Sequence, residues 1–177
     1  LVLIAAASSL SAGPLNPPAG PVSGTSKTLT EVEPRIAINS TNTPGDVDSL
    51  YKITQPGSYY LIANINGAVD QHGIEITTSG VTIDLNGHRI TGGVDTTAIA
   101  LEGVARVTVR GPGRIEGAAV GVDALRAPGL TVRDIDFVAV GDGVRLTNSA
   151  HGHIVDNRFD AIEGHAVAVL ALPYSLT

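Results

Sequence analysis

The chain has no cysteine, methionine or tryptophan, and aromatic residues make up only 3% of its 177 positions. Without cysteine, neither a disulfide framework nor a thiolate metal site can form. The scarcity of large aromatics argues against an irregular globular core, which usually needs them to fill uneven space. A core of valine, isoleucine, leucine and alanine instead indicates a narrow, regular interior in which similar shapes stack repeatedly.

Positive charge is also scarce. The 11 lysines and arginines face 17 aspartates and glutamates, which gives a formal net charge of −6. A nucleic-acid partner requires a basic face that displaces counterions from phosphates, so we expect no such partner. A weakly acidic surface suits a solvated extracellular protein. The sequence contains no phosphate loop, nucleophile elbow, HExxH motif or dinucleotide fingerprint.

The start of the chain predicts export from the cytoplasm. Residues 1–10 (LVLIAAASSL) are a short, largely apolar run that leads through small residues into a stretch rich in glycine and proline. Such a run is too short to cross a bilayer as a helix, but it matches the h-region of a signal peptide. We therefore expect a signal peptide at 1–12 whose n-region is missing, then a linker or N-terminal cap at 13–50. We expect an extracytoplasmic location and no membrane contact beyond the signal peptide.

An internal repeat organises the rest of the chain, residues 51–177. Matching β-branched segments begin at 81, 107, 130 and 153, at spacings of 26, 23 and 23 residues. A second family of short strands shares this period, with spacings of 25, 23, 22 and 23 between matched positions. A β-sandwich has no reason to hold a constant offset between strands. A solenoid must hold one, because each rung lies on the one before, about 4.8 Å away.

Period-2 alternation places aliphatic side chains in interior columns. In the first strand family these are Val81/Ile83, Val107/Val109, Leu130/Val132 and Val155; in the second they are Ile74/Ile99/Val122/Val144/Val167 and Ile76/Leu101/Ala124/Leu146/Val169. We predict an all-β fold, a parallel β-helix (solenoid) of about 4–5 rungs of 22–26 residues. Residues 166–177 begin another rung without an amphipathic cap. We therefore expect the helix to be truncated here, with further C-terminal rungs of the same chain as its partner.

Two segments carry a family resemblance. ITQPGSYYLIANI and GIEITTSGVTIDLNGHRITG are similar to the opening rungs of bacterial secreted right-handed β-helix repeat proteins of the pectate-lyase-like superfamily, and the similarity covers about residues 51–170. The IDLNGH turn (83–88) and the PGSYYL entry (56–61) are the most characteristic parts. The resemblance implies a right-handed, single-stranded β-helix and an N-terminal fragment of a longer protein. It implies no single activity, because the superfamily includes lyases, hydrolases, epimerases and adhesins.

One outward column is the candidate catalytic or binding face, formed by Asp84, Arg110, Arg133 and Asp156. In the lyases of the superfamily, an arginine or lysine removes the proton α to a uronate carboxylate, beside carboxylates that hold Ca²⁺. The alternative, which we favour, is an exposed ladder of ion pairs worth about 0.2–1 kcal/mol each. The adjacent arginines argue for a ligand, because they repel each other without an anion between them.

A glycoside hydrolase is another alternative, with Asp134, Asp136, Asp142 and Asp156 as candidate acids and bases on nearby rungs. The segment 141–143 (GDG) loosely resembles a polygalacturonase motif. However, the adjacent aspartate pair and the RxK element of those enzymes are missing.

Candidate metal ligands are Asp134, Asp136, His151 and His153, and the candidate ion is Ca²⁺. The two histidines share one side of a predicted strand. The other interpretation is that His153 continues the interior column of the first strand family.

Together these features predict a secreted or cell-surface β-helix that interacts with carbohydrate or is purely structural, with no identifiable catalytic site in this segment and no cofactor. The alternative is a polysaccharide lyase or glycoside hydrolase that acts on acidic polysaccharide. We expect the tyrosines to lie outside the repeat strands, which weakens the case for sugar stacking; they are Tyr51, Tyr59, Tyr60 and Tyr174.

Overall fold

The computed structural model describes residues 34–93 and 95–171. The predicted signal peptide at 1–12 lies outside these residues, as do residues 13–33 of the predicted linker or cap and residues 172–177. Every regular element in the described residues is a β-strand. Within this part of the chain, no helix is long and apolar enough to cross a bilayer.

In chain order the strands are β1 (Ile36–Ile38), β2 (Ser49–Ile53), β3 (Gly57–Leu61), β4 (Ile65–Asn66), β5 (His72–Ile76), β6 (Val81–Asp84), β7 (Arg89–Thr91), β8 (Thr97–Glu102), β9 (Thr108–Glu116), β10 (Val120–Leu125), β11 (Thr131–Val138), β12 (Asp142–Thr147), β13 (His153–Val155), β14 (Arg158–Asp160) and β15 (Val167–Leu170).

The strands form two parallel sheets. The first sheet has the order β1-β3-β6-β9-β11-β13, with β4, β7 and β14 paired at its side, and the second has the order β2-β5-β8-β10-β12-β15. Neighbours in each sheet come from successive passes of the chain, so the fold is a parallel β-solenoid of about six turns. The predicted all-β parallel β-helix is confirmed. There are more turns than the four or five expected, because the solenoid begins before residue 51. Strands β1 and β2 already pair with β3 and β5. The right-handed sense stays a prediction.

The predicted interior columns of the second sheet are confirmed by its register. Ile74, Ile99, Val122, Val144 and Val167 lie opposite one another on successive strands, as do the residues two positions further along. The column from Ile74 to Val144 has no exposed surface, whereas Val167, on the last described strand, is 38% exposed. Each added turn therefore removes the apolar surface of the turn before it from water.

The first sheet contains a third interior column that the periodicity of the sequence did not predict. Ile65, Ile90, Ile115, Phe137 and Phe159 are in register on β4, β7, β9, β11 and β14. The two phenylalanine rings stack with their centroids 5.0 Å apart. Both phenylalanines of the chain thus lie in one column, where a planar side chain repeats at the spacing of the turns.

The register of β13 differs from the prediction by one residue. Ile154, not Val155, lies opposite the interior residue Val132, and His153 lies opposite Thr131 on the outer face. Ile154 packs against the core and Val155 is 44% exposed. A slip of one residue exchanges the two faces of a strand, so the predicted interior places of His153 and Val155 were wrong.

The tyrosines also differ from the prediction, because three of them lie in strands. Tyr51 belongs to β2, and Tyr59 and Tyr60 belong to β3. Tyr59 is buried in the core and its hydroxyl donates to the carbonyl of Gln55 at 2.8 Å. Tyr60 points outward, and the guanidinium of Arg35 lies 4.8 Å from its ring centroid. Tyr174 lies outside the described residues.

The stacking of interior columns predicts the effect of a cavity. We expect Ile99→Ala to lower the free energy of unfolding by about 2–5 kcal/mol, because Ile99 is fully buried between turns that cannot collapse independently. Urea unfolding followed by circular dichroism measures the change. The neighbouring outward substitution Ala100→Ser is the control and should change stability by less than about 0.5 kcal/mol. Equal effects at the two positions would contradict the assignment of the faces.

Candidate functional site

The structure brings together three of the four residues of the predicted outward column. Asp84, Arg110 and Arg133 are in register on β6, β9 and β11, and Tyr60 precedes them on β3. Asp156 does not continue the column. It follows β13 in a turn with a left-handed backbone (φ 54°), and Val155 takes the place opposite Arg133. The one-residue register difference on β13 is the reason.

The charged side chains of this column form ion pairs with nearby residues. The carboxylate of Asp84 accepts hydrogen bonds from Arg110 at 2.7 Å and Arg35 at 3.3 Å. Arg133 turns to Asp134, its neighbour in the chain, at 2.7 Å. These contacts explain how two in-register arginines coexist on adjacent strands.

The candidate metal ligands do not form a cluster. Asp134 occupies a bulge of β11 with a left-handed backbone (φ 59°), and Asp136 lies beyond it, 3.9 Å from a guanidinium nitrogen of Arg114. His151 and His153 are both exposed. Within residues 34–93 and 95–171, no group of three or more histidines and carboxylates is arranged to hold a metal ion.

The outer face of the second sheet contains a candidate site formed by two hollows. Its central outward row reads Lys52, Glu75, Ala100, Asp123, Arg145 and Ala168, one residue on each strand. Ala100 interrupts this row of long charged side chains, and Ala168 stands at the end of the described row, on β15. A hollow of about 170 Å³ is lined by Ala100 and one of about 590 Å³ by Ala168, and both are also lined by Asp123 and Leu125. The two adjoining hollows are called the second-sheet groove below.

Arg145 connects two carboxylates at the centre of the second-sheet groove. Its Nε and Nη2 donate to Oδ2 of Asp142 at 3.1 and 2.8 Å, and its Nη1 lies 3.6 Å from Oδ2 of Asp123. The other oxygen of Asp142 accepts the backbone N–H of His165 at 2.9 Å, and the His165 ring Nδ1 lies 3.3 Å away. Asp142 is therefore fixed on both oxygens, and its side chain is only 14% exposed.

The two carboxylates have pKa values moved in opposite directions. Burial raises the pKa of Asp123, and the nearby charge of Arg145 offsets this only in part. Burial also acts to raise the pKa of Asp142, but hydrogen bonds from Arg145 and from the backbone and ring of His165 outweigh it, so the pKa of Asp142 is lowered. One carboxylate is thus biased towards the protonated form and its neighbour towards the ionised form.

Only part of this site was predicted from the sequence. Asp142 was among the hydrolase candidates, but Asp123, Arg145 and His165 were not. The sequence does contain a pattern that predicts the contact between Asp142 and His165. The Gly-Asp pair at 141–142 and the Gly-His pair at 164–165 are 23 residues apart, which is one turn. Asp123 and Arg145 each occupy the polar position between the two predicted interior columns. Reading the outward positions of the second strand family as a row would have placed these residues side by side.

Comparison with known proteins adds no further assignment: no family model matches the chain, and neither a curated protein nor a solved structure matches it. The β-solenoid fold is therefore established from the structure itself. The superfamily membership and bacterial origin suggested by the resemblance stay predictions.

The opposite pKa directions predict opposite effects of neutralising each aspartate. Asp142 has a lowered folded-state pKa, so it stabilises the fold above its unfolded-state pKa, and this contribution is lost as the pH falls through the folded-state value. Asp142→Asn should cost about 1–3 kcal/mol at pH 7, because Arg145 loses a charged acceptor. Asp123 has a raised pKa, so its ionised form opposes folding at pH 7, and Asp123→Asn should leave stability unchanged or raise it.

Thermal unfolding of both variants at pH 7 and at pH 3 measures these effects. The cost of Asp142→Asn should shrink at the lower pH, where the native carboxylate is closer to its own protonation. If both variants were destabilised equally at pH 7, the opposite pKa assignments would be wrong.

Proposed function

We propose that this protein is an extracytoplasmic β-helix that binds a polysaccharide in the second-sheet groove. The observation that carries the proposal is the pair of adjoining hollows around Asp123 and Leu125, which extend across the strands from β5 to β15. A trough that crosses successive turns suits a linear polymer, because equivalent strand positions recur about every 4.8 Å along it. The signal-like run at 1–10 supports the extracytoplasmic location.

The lining suits sugar chemistry on two counts. Carboxylates and the guanidinium of Arg145 accept and donate the hydrogen bonds that hydroxyl groups require, and Thr97 and Thr147 add hydroxyls. Leu125 and Leu170 supply apolar surface for the C–H faces of a sugar ring. Tyrosine stacking is not part of this proposal, since Tyr51, Tyr59 and Tyr60 do not line either hollow.

The charge of the groove favours neutral over acidic glycans. Glu75, Glu102, Asp123 and Asp142 line the two hollows, against Arg145 as the one arginine or lysine among the lining residues. A uronate polymer brings one more negative charge with each sugar and is repelled by these carboxylates. We therefore propose a neutral polysaccharide as the ligand, in place of the acidic polysaccharide of the alternative lyase or hydrolase function.

A groove-filling substitution tests the proposal. Ala100→Trp should weaken binding of a neutral polysaccharide by about tenfold or more, because the indole fills the smaller hollow and removes its hydrogen-bonding contacts. Thr108→Trp is the matched control: it places the same side chain outward on β9 of the first sheet and should leave binding unchanged. Affinity electrophoresis and calorimetry with xylan, glucan, mannan and polygalacturonate give the measurement.

Two results would count against a second-sheet glycan site. One is the absence of binding to every neutral polymer by the unmodified chain. The other is an equal loss of binding in the two tryptophan variants. Tighter binding to polygalacturonate than to the neutral polymers would contradict the proposed preference for neutral glycans. The same two tryptophan variants would then test whether polygalacturonate binds in the second-sheet groove.

Glycoside hydrolysis is the second candidate function, favoured by the opposite pKa directions of Asp123 and Asp142. Pairs of carboxylates whose environments separate their pKa values are the groups that divide into acid and base in glycosidases. Asp123 would protonate the glycosidic oxygen, and ionised Asp142 would take a proton from the water that attacks the anomeric carbon. The C–O bond of the leaving sugar breaks as the new C–O bond to water forms, which leaves Asp123 ionised and Asp142 protonated until they exchange protons with solvent.

Release of reducing ends from the polymers that bind tests hydrolysis. Asp123→Asn and Asp142→Asn should each lower kcat by about 10²–10⁴, and the matched first-sheet variant Asp136→Asn should not. The rate should fall at high pH as Asp123 ionises and at low pH as Asp142 becomes protonated. No release of reducing ends at any pH from 4 to 8, with binding intact, would reject hydrolysis and leave the binding proposal standing.

A further inference from the structure

A second concave site lies on the first sheet, where the turn that follows β6 meets β9. It is a hollow of about 390 Å³ whose lining includes Asn64, His88, Arg89, Arg114 and Asp136. None of these residues belongs to the second-sheet groove. Two arginines and a histidine face a single carboxylate among the lining residues, so this hollow has the opposite charge character to the second-sheet groove.

The two arginines lie side by side. Arg89 on β7 and Arg114 on β9 are in register, on neighbouring parallel strands that are about 4.8 Å apart. Both turn to one carboxylate, Glu116, with nitrogen–oxygen distances of 3.2 Å for Arg89 and 3.8 Å for Arg114. Asp136 also lies 3.9 Å from Arg114, so two carboxylates face the two guanidinium groups. Like charges directly opposite each other are otherwise destabilising.

Arg114 holds its carboxylate partners only loosely. Its distances to Glu116 and Asp136 are 3.8 and 3.9 Å, which exceed the length of a hydrogen bond. A guanidinium has five N–H donors in a planar fork, which match the oxygens of a carboxylate, sulfate or phosphate group. Arg114 is about half exposed, so these donors are accessible from the hollow.

The backbone holds this pair of arginines in place. Gly87 N–H donates to the Pro112 carbonyl at 2.6 Å, and Arg114 N–H donates to the His88 carbonyl at 3.1 Å. The Asn64 side chain accepts the Arg89 N–H at 3.0 Å. Three successive passes of the chain are thereby tied together around the hollow, so the backbone positions of the two arginines are fixed before a ligand arrives.

We propose that the hollow formed by His88, Arg89 and Arg114 is a binding site for an oxyanion group, with the two guanidinium forks as its main donors. The ligand class is a sulfate, phosphate or carboxylate, free or carried on a larger molecule. The site is independent of the second-sheet groove and of polysaccharide binding there. The net charge of −6 disfavours unspecific attraction of anions, so binding has to come from this local arrangement.

The test uses the full chain labelled with ¹⁵N and titrated separately with sodium sulfate, phosphate and acetate at constant ionic strength. We expect saturable shifts of the amide signals of Gly87, His88, Gly113 and Arg114. Replacing either arginine, Arg89→Gln or Arg114→Gln, should raise the apparent Kd by about tenfold, since each removes a charged donor pair. Arg158→Gln is the matched control, because Arg158 lies in the same row but pairs with Asp160 outside the hollow.

Polymers then identify the source of the oxyanion. Dextran sulfate, polyphosphate and polygalacturonate are compared with uncharged dextran, and the polymer whose affinity falls in Arg114→Gln but not in Arg158→Gln carries the preferred group. The proposal is overturned if no anion gives saturable shifts at these amides in the unmodified chain. It is also overturned if the apparent Kd is unchanged in Arg89→Gln and Arg114→Gln, or if Arg158→Gln weakens binding equally.

Discussion

The whole structure depends on in-register hydrogen bonding between successive turns. Parallel pairing sets each residue beside its equivalents one turn before and after, about 4.8 Å away. An interior residue therefore contacts residues of its own column, and only similar apolar shapes pack there, as from Ile74 through Ile99 to Val122. Outside, the same spacing brings charges together. Opposite charges lie side by side in Asp84–Arg110 and Asp123–Arg145, whereas the in-register arginines Arg89 and Arg114 have carboxylates beside them.

The same constraint acts on the corners. Gly103, Arg126 and Asn148 occupy equivalent corners of three turns, and all three have a left-handed backbone, with φ between 49° and 65°. Each donates its N–H to the carbonyl of the next turn, from Gly103 to Leu125, from Arg126 to Thr147 and from Asn148 to Leu170, at 2.8–2.9 Å. For an arginine this conformation costs about 1–2 kcal/mol. Stacking of the turns imposes it, so the corner is regular in the backbone although its residue types differ.

This difference between interior and corner explains which parts of the fold the sequence could predict. Burial selects a narrow set of residue types, and for that reason the columns of the second sheet were legible in the sequence. A corner accepts any residue that the stacking of turns can hold in the left-handed conformation. An arginine such as Arg126 therefore does not indicate a corner in the sequence. On β13 the sequence HIV offers two apolar residues side by side, Ile154 and Val155, and pattern alone selected the wrong one. The structure decides through the pairing of Ile154 with Val132.

The outer rows explain why the candidate site was harder to predict. Any polar residue is acceptable on an exposed strand face, so Asp123 carries no signal by itself. Its significance comes from the residues beside it, because Ala100 opens a hollow on one side and Arg145 links it to Asp142 on the other. On the first sheet, the long side chains of Tyr60, Asp84, Arg110 and Arg133 follow one another without such a gap. A small residue in an outward row thus distinguishes this groove from a ladder of ion pairs. The charged residues of the row do not, although they are more conspicuous in the sequence.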